Sequence, residues 1–308
     1  MKFMKTIRLN NGVEMPQHGF GTYMIPKEKL SWAIGKAYEL GYRQFDTAWR
    51  YYNEGDIAKA LKENGINRQD VFITSKFNAD SIHKFGYWYG KRSIINFRYR
   101  SVRKAIQESL DNLGTDYIDL YLIHWPYPFY KDIYREMVKF QEEGRIRAIG
   151  VCSFLPPHIE ALKSISDVMP AVNQFEISPL NTQKQLIQYC RENGIAVEAM
   201  STFSHYRSVE PRKELINHEL LLPIAKKYNK SVVQVVFKWL LQQEVIIIPK
   251  TWELSHMKEN ISLYDFELTA EEMAIIDSID QGHFLNYNPY EATKGYKKFF
   301  KAWDGFQK

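Results

Sequence analysis

Cysteine is scarce. The 308-residue chain has two, Cys152 and Cys190, with neither metal-ligand spacing nor a disulfide framework. A reducing compartment is the simplest expectation. Long apolar runs are missing too: none approaches a membrane-crossing helix, and the N-terminal MKFMKTIRLN lacks the apolar centre of a secretion signal. A cytoplasmic protein without a membrane partner is therefore expected. Metal-ligand patterns are absent. The eight histidines (His18, His83, His124, His158, His205, His218, His256 and His283) form no HxH and no HExxH, so no metal site is expected. GFGTY at 19–23 has two glycines but no third, which argues against a Rossmann fingerprint. Charge is not one-sided: 41 Lys and Arg against 36 Asp and Glu leave a dispersed net +5. That tolerates anionic ligands and does not call for nucleic acid.

What is present is a repeated punctuation. Helical segments end in Gly, and an apolar strand follows within a few residues: ELGYRQFDTA, ENGINRQDVFITSK, NLGTDYIDLYLIHW, EEGRIRAIGVCSF and ENGIAVEAMS. Gly just past a helix supplies the left-handed cap. Strands alternating with helices imply parallel βαβ units. Eight strands are predicted, at 18–23, 43–48, 71–77, 118–124, 146–152, 171–178, 196–201 and 245–249. A helix is predicted at 99–113, where Val102, Ile106, Leu110 and Leu113 share one face. Eight such units over this length predict a single (β/α)8 TIM barrel spanning 1–308. The NNG turn in TIRLNNGVEM predicts an N-terminal β-hairpin that covers the barrel bottom.

A barrel places its chemistry at the C-terminal ends of its strands. Asp46 ends the second predicted strand, Lys76 lies at the end of the third and His124 ends the fourth, with Tyr51 in the loop after Asp46. Each has a structural reading alone: a turn aspartate, a lysine reaching solvent, a satisfied histidine. Converging on one rim, they read better as a reaction centre. A buried lysine and aspartate are tolerable when they face each other. The ammonium favours the phenolate of a nearby tyrosine, which would make the phenol a proton donor near neutrality. His124 can orient a substrate oxygen.

With these residues and the motifs NNGVEMPQHGFGTY, FDTAWRYYNEG, VFITSKF, YIDLYLIHWP, GRIRAIGV, PAVNQFEISP and IIIPK…KEN, the chain resembles the aldo-keto reductase family from about Thr6 to about Ile279. It is most similar to microbial 2,5-diketo-gluconate/glyoxal reductase-like members. The resemblance implies hydride transfer from NADPH, with NADH possible, to a small-molecule carbonyl substrate. It implies a catalytic tetrad of Asp46, Tyr51, Lys76 and His124. Tyr52 stands where the family often carries Gly.

The implied cofactor positions are Gly21, Thr22, Asp46, Ser153, Gln174, Met200, Ser201, Lys250, Thr251, His256, Glu259 and Asn260. Three depart from the family. The usual Ser-Asn pair is Cys152-Ser153, and Ser lacks an amide's paired donor and acceptor. The stacking tyrosine is Met200, a softer apolar platform. The arginine is His256, which replaces a permanently charged fork by an imidazole. The implied substrate positions are Tyr23, Tyr51, Asn78, His124 and Trp125, with Asn78 replacing a usual tryptophan.

The loop after the third barrel strand, 78–98, is about fifteen residues longer than the family spacing, and loops of such length usually carry function. Its aromatic and basic residues are expected to form a substrate lid or an oligomer contact rather than bind nucleic acid. The C-terminal tail is expected over the mouth. The oligomeric expectation is a monomer or a weak homo-oligomer. The leading function is reduction of an aldehyde or ketone. A nucleotide-binding sensor on the same barrel, or a different barrel enzyme, are the competing readings.

Overall fold

The computed structural model describes residues 5–78, 94–127, 129–203, 210–285 and 288–289, with backbone alone for 94–101 and 210–211. Most of the expected long loop (79–93) and most of the C-terminal tail, including 290–308, lie outside the described residues.

Eight parallel strands follow one another around the sheet in chain order. They are β3 (Phe20–Gly21), β4 (Gln44–Asp46), β5 (Phe72–Phe77), β6 (Ile118–Ile123), β7 (Ile146–Cys152), β8 (Val172–Glu176), β9 (Ala196–Met200) and β10 (Ile246–Ile247). The sheet closes where the chain before β3 meets β10. His18 bridges Ile247, and the Gly19 amide donates to the Ile247 carbonyl at 2.7 Å. The (β/α)8 expectation is met. The ladders are shorter than the predicted strands, most of all at 18–23 and 245–249. His124 lies just beyond β6 rather than in it.

The strands are buried on both faces, as parallel strands under helices must be. In β6, Leu120 and Leu122 point into the barrel, while Tyr121 and Ile123 join the layer under the helices. Each such buried aliphatic contributes roughly 1.5–3 kcal/mol. Helix α1 (Lys27–Glu39), α2 (Glu54–Glu63), α3 (Ile94–Leu113) and α4 (Tyr130–Glu142) supply part of that outer layer. The face predicted from spacing holds: Val102, Ile106, Leu110 and Leu113 are all buried. Helix α3 begins at Ile94, so residues 94–98, expected in the loop, are helical. Gly114 (φ 60°) ends α3 in the left-handed conformation that the punctuation predicted.

The lower barrel is filled by Phe72, Leu120, Leu122, Ala148, Val172 and Ile246. Leu9 and Met15 of the N-terminal hairpin belong to the same cluster. Strands β1 (Thr6–Arg8) and β2 (Glu14–Pro16) pair antiparallel, with Ile7 opposite Met15. The hairpin therefore plugs the bottom. No helix among the described residues is long and apolar enough to cross a membrane.

Candidate active site

Lys76 is the centre of the site. Its side chain is fully buried, and Nζ lies 2.7 Å from each carboxylate oxygen of Asp46. A third hydrogen goes to the Thr47 carbonyl at 2.8 Å. A buried ammonium needs this satisfaction, because desolvation otherwise removes its charge. Burial pulls Lys76 down, but Asp46, Tyr51 and Cys152 outweigh it, and its pKa lies above the ordinary value.

Asp46 is itself positioned by backbone contacts. The Thr22 amide and hydroxyl donate to the Asp46 carbonyl at 3.0 and 2.8 Å. Asn53 Nδ2 donates to Thr22 at 3.2 Å, and Asn53 Oδ1 accepts from the Thr47 hydroxyl at 2.5 Å. One buried asparagine thus ties the segment after β3 to the segment after β4. On the outer side of β5, Ser75 donates to Glu54 at 2.6 Å, fixing the strand to α2. The sequence reading missed Asn53 and Glu54. Both sit in the quoted YYNEG stretch, and polar residues opening a helix beside a catalytic loop were the available signal.

Tyr51 ends a 3-10 turn, Trp49–Tyr51, and its ring centroid is 5.1 Å from Lys76 Nζ. Tyr52 turns away. It is 73% exposed and sits in the left-handed region at φ 54°, the conformation that a glycine would take without strain. The Tyr51 ring is 4.5 Å from that of Tyr23 and 5.9 Å from that of His124. His124 stacks on Trp125 with centroids 6.4 Å apart. Asn78 is buried directly after β5. The four expected catalytic residues and the expected substrate residues therefore meet at one rim.

One expectation is corrected. Burial raises the Tyr51 phenol above its ordinary value. The charge of Lys76 pulls it down, but Asp46 and Cys152 add to the rise, and the net shift is upward. The sequence argument had the direction of the Lys76 effect and omitted burial, the larger one. His124 goes the other way. Burial, then Lys76 and Arg50, push it down to about 3, so the imidazole is neutral at physiological pH. Its Nδ1 has no hydrogen-bond partner among the described residues.

The other half of the rim carries the expected cofactor residues. Ser153 and Ser201 follow β7 and β9, both left-handed at φ 56° and 54°. Met200 ends β9 and is half-buried. Gly21 donates to the Pro249 carbonyl at 3.1 Å, and a Cβ there would stand 2.9 Å from the Ile248 oxygen. Lys250 Nζ lies 4.8 Å over the Trp252 ring. Burial and then the charge of Arg212 lower the Lys250 pKa. Two cations sharing one field form a donor set suited to a phosphate. Thr251 accepts from the Glu253 amide at 3.0 Å at the start of the helix Leu254–Ile261. On that helix His256 is exposed, Glu259 half-buried and Asn260 buried. Arg212 was not anticipated from the sequence. Among the described residues no cluster of metal-binding side chains occurs.

Gln174 has an unexpected setting. Its Nε2 donates to Asp46 Oδ2 at 3.0 Å and to Glu198 Oε2 at 2.7 Å. Glu198 also accepts from Gln44 Nε2 at 2.7 Å. Glu198 and Gln44 were not anticipated as site residues.

The family model described as "Aldo/keto reductase family" matches residues 17–281. The oxidoreductase YtbE of Bacillus subtilis is 40% identical over 288 residues, covering 91% of this chain and 95% of that protein. The glyoxal reductase of Bacillus subtilis is 38% identical over 289 residues, covering 93% and 96%. Among solved structures, a Bombyx mori aldo-keto reductase in complex with NADP aligns with a TM-score of 0.78 and 32% identity, covering 93% of this chain and 96% of that one.

Proposed function

The chain belongs to the aldo/keto reductase family, and from that premise we propose that it reduces a small aldehyde or ketone to an alcohol with NADPH, Tyr51 giving the proton. The observation that carries this reading is the fully buried Lys76, held at 2.7 Å by both oxygens of Asp46, with its Nζ 5.1 Å from the half-buried Tyr51 ring.

When bound, the reduced nicotinamide supplies the hydride. The rest falls to the protein. Tyr51 must keep its proton until a stronger base appears, and its raised pKa ensures that. An alkoxide forming at the carbonyl oxygen is such a base. Lys76 stabilises the phenolate left behind, and Asp46 keeps Lys76 charged and in place. His124, being neutral, can donate a hydrogen bond to the same oxygen without repelling Lys76. Lys250, Arg212, Thr251 and His256 would hold the phosphate end of the cofactor, and Ser153, Gln174 and Met200 the nicotinamide end. The aromatic walls of Tyr23 and Trp125 suit a small, planar carbonyl. The similarity to a glyoxal reductase supports a short dicarbonyl as the first substrate to test.

NADPH absorbance followed with glyoxal, methylglyoxal, aromatic aldehydes and diketo-acids tests the reading. Substrate-dependent oxidation is expected. Tyr51→Phe should lower it by about 10²- to 10⁴-fold, the range of a general acid, with NADPH binding nearly unchanged. Saturable NADPH binding without turnover would favour a nucleotide sensor. A Tyr51→Phe variant that keeps most activity would remove the tyrosine from its role.

A further inference from the structure

Below the tetrad the barrel holds a second carboxyl group. Glu198 of β9 is fully buried. It has no lysine of its own: Lys76 spends its hydrogens on both Asp46 oxygens and on Thr47. Two carboxamides face it instead, Gln44 Nε2 at 2.7 Å and Gln174 Nε2 at 2.7 Å. Space for Gln44 comes from Gly19, where a Cβ would fall 2.7 Å from Gln44 Cδ.

The amide orientations suit an ionised Glu198. A carboxylate only accepts, so both amides turn their NH2 groups toward it. Gln44 Oε1 is left buried without a partner among the described residues. The second hydrogen of the Gln174 NH2 goes to Asp46 at 3.0 Å. One NH2 group therefore bridges two carboxylates, and the one ammonium in the cluster contacts Asp46. With both ionised the cluster carries a net negative charge; with Glu198 protonated it is neutral.

Resting on the reduction proposed above, we propose that Glu198 is a positioning residue that sets the charge of the Asp46–Lys76 pair through Gln174, and so the ease with which Tyr51 gives up its proton. The groups facing Glu198 are Gln44 and Asp46 from β4, Lys76 from β5, the Cys152 thiol from β7, and Gln174 from β8. From β10, Ile246 lies opposite it in the ladder and adds no charge. His18, before β3, packs on Tyr42 and Tyr264.

The direction follows from charge. Departure of the Tyr51 proton adds a negative charge to the cluster. That is easier when Glu198 is neutral. Burial, then Asp46, raise the Glu198 carboxyl to about 7, which brings the change into the neutral range.

The experiment is a pH profile of kcat/KM at saturating NADPH with the best carbonyl of the panel, in wild type, Glu198→Gln and Glu198→Asp. Wild-type rates are expected to fall as pH rises through about 7. In Glu198→Gln, which is neutral at every pH, that fall should vanish or move up by about a unit, a roughly tenfold gain at the alkaline end. Glu198→Asp should keep it. An unchanged profile in Glu198→Gln overturns the proposal. A second measurement does not need turnover. The pH-difference infrared spectrum of the wild type should show a protonated carboxyl lost near neutrality, and Glu198→Gln should lack it. Absence of that band in the wild type overturns the proposal even if the enzyme is active. The band without any carbonyl reduction overturns the reductase reading and the role of Glu198 in it, while leaving the buried acid established.

Discussion

At the ends of β4 and β5 the polar groups are held from several sides at once. Lys76 makes three contacts of 2.7–2.8 Å, and Thr22, Thr47 and Asn53 lock the chain around Asp46. At the ends of β7, β9 and β10 the support is thinner. Two serines hold left-handed backbone, Met200 offers a flexible thioether, and Lys250 lies on an indole. The difference matches what each half has to do. Under the proposed reduction, proton donation needs geometry fixed before the substrate arrives. A large cofactor can bring part of its own order when it binds, so that half tolerates substitution.

That contrast can be broken first at Lys76. Asp46→Asn leaves a buried ammonium without its counter-charge, and a loss of roughly 3–5 kcal/mol is expected in urea unfolding. The double variant Asp46→Asn/Lys76→Met should regain most of that stability and none of the activity. If Asp46→Asn were as stable as wild type, the tight half would owe its order to something other than the pair. On the loose side, His256→Arg should tighten NADPH over NADH by roughly tenfold, about 1.4 kcal/mol. Equal dissociation-constant ratios in the two proteins would show that this exposed position does not read the extra phosphate. The smallest effect is expected at Ser153, where Asn accepts the left-handed backbone more readily. Ser153→Asn should gain about 1 kcal/mol in thermal unfolding. A loss would show that space around this buried side chain, not its φ angle, limits the position.

The sequence carried the architecture because its signals are local. A glycine past a helix and an apolar run after it, found at five places, need only neighbouring residues to be read, and the strand ends then group Asp46, Lys76 and His124. Of the two adjacent tyrosines, Tyr51 lies against Lys76 and Tyr52 is exposed. Tyr51 acidity was not legible, because it depends on how much water the fold removes around the phenol. Glu198 was hidden for a different reason. Its partner Gln44 lies 154 residues away in sequence, and Gln174 reaches it from the neighbouring strand β8, a pairing that only the folded register reveals. A trace was visible: Glu198 sits amid the otherwise apolar AVEAM, an inward charge that a buried strand does not carry without a partner.

The hairpin that fills the lower barrel has a consequence for traffic. With Leu9 and Met15 seated under Leu120 and Leu122, the bottom of the barrel is closed. Protons, cofactor and carbonyl compound must all pass the same rim. Ligands that share a single doorway cannot exchange independently: whichever enters last stands in the way of the other's departure. A three-residue strand pair at the opposite end of the molecule thus bears on how the rim is used.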